Sequence, residues 1–65
     1  SNHMNFDNQI RAIRYAIKEL QRERYKAAET NNQEWLKDTE EHIKNLTEAI
    51  EVINTMKVLK AVITA

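Results

Sequence analysis

Not one glycine or proline interrupts the 65 residues of this chain. Those two residues punctuate strands, tight turns and hairpin loops, because glycine reaches positive φ without steric cost and proline fixes φ while removing a donor. A chain that lacks both and is rich in Ala, Glu, Lys, Leu, Gln and Arg is expected to be all-α. Cysteine is missing as well, so no disulfide framework, thiolate metal site or cysteine nucleophile is available. Chains below roughly 70–80 residues seldom bury enough apolar surface alone, and draw on a crosslink, a metal or a second chain. Association is therefore the expected source of the missing stability.

The apolar residues set the plan. Phe6, Ile10, Ile13, Ile17 and Leu20 alternate at steps of four and three, and Arg24 and Ala27 continue the row. This is a heptad seam on one side of a helix expected over about residues 6–29. In that row Arg24 is expected to bury its stem and hold its guanidinium outward. A second seam runs through Leu36, Thr39, Ile43, Leu46, Ile50 and Ile53, on a helix expected over about 33–64. Thr30-Asn31-Asn32 is the plausible break, since Asn tolerates left-handed backbone angles where glycine is absent. Either Thr30 with Gln33 or Asn31 with Glu34 has capping-box spacing to open the second helix. One uninterrupted helix is the rival reading. Folding back at Asn31 sets Leu20 against Ile43, Ile17 against Leu46, Ile13 against Ile50, Ile10 against Ile53 and Phe6 against Met56. The same register turns Arg24 toward Asp38 and lays Trp35 over Ala27 and Ala28. The fold class expected is thus an antiparallel helical hairpin of two long helices.

Helix 2 carries more apolar surface than a hairpin needs. A second row, Ala49, Val52, Met56, Leu59 and Ile63, keeps helical rhythm but is rotated away from the first. The arms are also unequal, so 57–65 is expected to lack a partner within its own chain. A homodimeric four-helix bundle, with Val52, Met56, Leu59, Val62 and Ile63 at the oligomer interface, buries that row by two-fold symmetry.

Chemistry is sparse. His42 and the tag-like His3 are the only histidines, and Ser1 is the only serine. Asp38 and His42 lie one turn apart, but two ligands fall short of a tetrahedral set. Thr39 stands where a Glu-x-x-His di-iron spacing would require glutamate. No catalytic residue, cofactor or metal ligand is assigned, and the expectation is a non-enzyme. Ten basic residues balance ten acidic ones, which weakens the electrostatic case for nucleic acid. The balance is not local: six basic against four acidic residues over 5–29, two against six over 33–51. On helix 1, Arg11, Tyr15, Lys18, Arg22, Tyr25 and Lys26 fall within about 100° of one another, away from the seam. Cations interleaved with tyrosines suit an acidic protein partner or, as the alternative, a phosphate backbone. Glu19 and Glu23 border the stripe at ion-pair spacing, so an ordinary mixed-charge face is the plain reading. The most apolar stretch, 52–65, is interrupted by Lys57 and Lys60 and falls short of the ~20 residues a membrane span needs.

Ser1 to His3 read as an expression-tag remnant before Met4, which leaves a single domain over 4–65. From Met4 to Glu29, MNFDNQIRAIRYAIKELQRERYKAAE with its NFDNQIRAIR opening resembles the short, charge-rich proteins of lambdoid phage early regions. The resemblance implies an accessory or regulatory protein made early in infection, acting in the host cytoplasm through contacts with host or phage proteins. It assigns no functional residue. In size and plan the chain is also similar to the plasmid repressor-of-primer family, dimeric hairpins that bind RNA, with no shared motif.

Overall fold

The computed structural model describes residues 5–65 as two α-helices, α1 (Phe6–Glu29) and α2 (Gln33–Thr64), packed as a hairpin. Ser1 to His3, read as a tag remnant, lie outside the described residues, as does Met4. The helices have 24 and 32 residues, so α2 outruns α1 by about two turns. The described chain measures 51 × 17 × 14 Å.

Each end of α1 is closed by asparagine. Asn5 caps α1, its side-chain oxygen accepting the Asn8 N–H at 2.9 Å, and Asp7 adds negative charge to the first turn. At the other end Asn31 takes φ 55°, the only positive φ among the described residues. That left-handed residue lets the Asn31 N–H reach the Ala28 carbonyl (3.1 Å) and the Asn32 N–H reach the Ala27 carbonyl (3.0 Å). The pair of bonds is a Schellman closure, in which a residue at positive φ satisfies the last carbonyls of a helix. The Thr30 hydroxyl donates to the carbonyls of Lys26 (2.9 Å) and Ala27 (3.2 Å) as well.

The opening of α2 corrects both capping boxes expected from spacing. Asn32 is the cap: its side chain accepts the Trp35 N–H at 3.0 Å. The reason is geometric. Asn31 is spent on the reversal, Thr30 bonds backward into α1, and Asn32 is the residue left in extended geometry (φ −93°, ψ 94°) with its oxygen over the first turn. Gln33 does reach back, but its Nε2 donates to the Asn31 side chain at 3.0 Å.

Burial follows the two seams. Phe6, Ile10 and Ala27 are buried, and Ile13, Ile17, Leu20, Leu36, Ile43, Leu46, Ile50 and Ile53 are half-buried. Near the turn Ala27 is fully enclosed and Trp35 half-buried, while Ala28, expected beneath Trp35, is exposed. Thr39, in the α2 seam, is buried at 3% exposure and donates to the Trp35 carbonyl at 2.8 Å. A threonine is acceptable there because bonding back one turn satisfies its hydroxyl. Thr47, Thr55 and Thr64 do the same. Arg24 departs from expectation: it is exposed, and among the described residues the ion pairs are Arg22–Glu19 and Lys57–Asp7, with none from Arg24 to Asp38. It borders a shallow hollow with Leu36 and Glu40. A guanidinium on this rim gains little by leaving water.

The open end also differs from expectation. Lys57 donates to Asp7 at 2.7 Å, and the Lys60 ammonium lies 5.6 Å from the centre of the Phe6 ring. Part of the stretch expected to have no partner in its own chain thus meets α1. Phe6, expected opposite Met56, has Lys60 over its ring, about one turn further along α2. Long, flexible lysine stems reach the carboxylate and ring that the first turn of α1 presents.

Two outcomes test this description. Asn32→Ala should destabilise the hairpin by about 1 kcal/mol through loss of the cap, whereas Asn31→Gly should hold or raise stability because glycine takes positive φ freely. Urea unfolding followed by far-UV circular dichroism measures both. Ile50→Asp should abolish the folding transition, since an unpaired charge in the seam costs several kcal/mol against a margin of similar size; an unchanged melting curve would mean the seam is assigned to the wrong face.

Candidate functional site

Amphipathicity divides the two helices. α1 concentrates its apolar side chains toward α2, while α2 distributes them around its circumference and is far less one-sided. What α1 does not cover stands in solvent. Val52 is 59% exposed, Met56 40%, Leu59 54%, Val62 69% and Ile63 81%. All five were expected at an interface from spacing. Val58, not expected there, is also 61% exposed, one turn before Val62 and rotated further from the row. A few turns of one helix thus present several large apolar side chains to solvent.

Polar groups bound this surface on three sides. Toward the turn, the same face of α2 continues as Asp38, Glu41, His42 and Asn45, which line a shallow hollow. Among the described residues no group of three His, Cys, Asp or Glu side chains could hold a metal. Toward α1 stand Lys57 and Lys60, held by Asp7 and Phe6. The hydrogen bond from Lys57 and then its charge hold the Asp7 carboxyl below its ordinary value, with Arg11 adding a smaller pull against a small opposing desolvation. The outward flank carries Glu48 and Glu51, both exposed. Apolar surface is therefore confined to the stretch from Ala49 to Ile63.

The basic stripe of α1 lies on the molecule's outer side. Arg11, Tyr15, Lys18, Arg22, Tyr25 and Lys26 are all exposed, Tyr15 and Tyr25 at 69% and 67%. Two shallow hollows follow it, one between Arg11, Tyr15 and Lys18, the next between Lys18, Arg22, Tyr25 and Lys26. Glu19 takes the Arg22 guanidinium at 3.2 Å, and Glu29 lines the second hollow. These carboxylates dilute the positive potential that a phosphate backbone would need. The tyrosine faces stand in solvent beside these cations.

Among the described residues, no helix is long and apolar enough to cross a membrane. The chain matches no family model, no curated protein sequence and no solved structure.

Proposed function

We propose that this protein is a non-enzymatic interaction module whose working form is a homodimer, two hairpins joined along α2 into a four-helix bundle. The exposed apolar cluster of Val52, Met56, Leu59, Val62 and Ile63 carries this reading. Leaving it in water forfeits burial worth about 25 cal/mol per Å², in a chain that has no disulfide and few fully enclosed side chains. Joining α2 to a second α2 leaves α1 outermost, so each protomer presents Arg11, Tyr15, Lys18, Arg22, Tyr25 and Lys26 to a further, acidic protein partner.

Nucleic acid is the second reading for the same stripe, favoured by the exposure of both tyrosines among four cations. Zero formal net charge and the carboxylates within the stripe weigh against it. The lambdoid-phage resemblance supports placing the contact in a host cytoplasm, on a host or phage protein.

Light scattering on a size-exclusion column tests the association. At micromolar concentration the mass should exceed the 7.7 kDa of one chain, and Leu59→Asp combined with Ile63→Asp should return it to one chain while helical signal persists. A wild-type protein that elutes as a monomer would remove the proposal.

A further inference from the structure

Resting on that dimer reading, we infer that the partner on the apolar face is a second copy of this chain laid antiparallel, with Met56 facing Met56 across the two-fold axis, so that the hairpins overlap only at their open ends. The juxtaposition behind it is a single helical row that is apolar from Ala49 to Ile63 and polar from Asp38 to Asn45.

Three symmetric alignments of α2 on α2 bring out the choice, and the row discriminates between them. A parallel pairing keeps every residue beside its own copy. Met56, Leu59 and Ile63 would then be matched, but Asp38 and Glu41 would meet their own copies, and like charges held together are destabilising. An antiparallel pairing over the full helix centres near Glu48. It sets Ile63 opposite Glu34, Leu59 opposite Asp38 and Met56 opposite Glu41, so apolar side chains would cover carboxylates that must then lose water. An antiparallel pairing centred on Met56 has neither fault. It sets Ala49 against Ile63, the smallest side chain of the row facing the most exposed one, and brings Val52 within one residue of the partner's Leu59. Asp38, Glu41, His42 and Asn45 fall beyond the end of the partner and stay hydrated.

The area fits a small but specific interface. The exposures of Val52, Met56, Leu59, Val62 and Ile63 amount to on the order of 500 Å² of apolar side chain per copy, so two copies reach the ~1,000 Å² at which specific contacts begin. The overlap of 49–63 is about 22 Å long at 1.5 Å per residue. Within it the first turns of both α1 helices, which meet α2 at Lys57 and Lys60, flank the joint. Four helices share one cross-section there, and each turn projects outward beyond it.

The chain contains no cysteine, so single-cysteine variants report the alignment without interference. Ala49→Cys, Met56→Cys and Ile63→Cys are each equilibrated in a glutathione redox buffer and read on a non-reducing gel, with the mass of each reduced variant taken by light scattering. In the inferred register the two copies of position 56 adjoin, while the two copies of position 49 or of 63 stand about 21 Å apart, well beyond the ~7 Å Cα limit of a disulfide. Met56→Cys should become predominantly covalent dimer, at least about tenfold more than either other variant, and mixing Ala49→Cys with Ile63→Cys should restore the crosslink. Crosslinking of Ala49→Cys alone would establish the full-length antiparallel bundle, and equal crosslinking of all three would establish the parallel one. Either result overturns the register while sparing the dimer, and a dimeric mass with no crosslink at any position does the same. A monomeric mass for the reduced variants and the wild type alike would overturn the dimer itself.

Discussion

Two helices in contact share one line of side chains, and the far side of that line stays open to water. Every feature of this hairpin answers to that constraint. A seam of isoleucines and leucines runs its whole length, yet most members are half-buried, and the enclosed residues cluster at the ends: Phe6 and Ile10 at one, Ala27 and Thr39 at the other. A bundle of three or four helices closes over its seam, and a pair does not. No disulfide lowers the entropy of the unfolded chain, and α2 carries further apolar surface on a second face. The length difference has the same meaning. Where α1 begins, the α2 seam changes from Ile50 and Ile53 to Lys57 and Lys60, while the second face stays apolar through Ile63.

Much of this was legible because helical periodicity is a local signal. The two seams could be read from the spacing of Phe6 to Leu20 and of Leu36 to Ile53, and burial follows them closely. Asn31 could be singled out because, in a chain without glycine, asparagine is the residue that most readily takes positive φ. The cap of α2 was harder. Thr30, Asn31 and Asn32 are all good capping residues, and spacing alone does not say which of them the reversal consumes. Once Asn31 turns the chain, only Asn32 remains in position to accept the Trp35 N–H.

Misreadings concern side chains whose partners depend on a rotation of a few degrees about a helix axis. Arg24 falls on the seam by count but stands at its rim, where bordering Glu40 and solvent is less costly than lying across Asp38. The lysine contacts with Asp7 and Phe6 escaped notice because a register estimated to within a turn does not resolve them. The apolar face of α2 was visible by contrast, since Val52, Leu59 and Ile63 lie on a row rotated away from the seam that meets α1. Val58 lay outside any row. The stripe on α1 was also plain to see, and its chemistry is that of an open surface.

The central claim, that this hairpin reaches full stability by joining a second copy, is most directly tested by thermal unfolding at concentrations spanning several hundredfold. Coupled folding and association obeys mass action, so the midpoint should climb steadily with protein concentration. A midpoint that stays fixed across that range would contradict the account and show a hairpin that stands alone.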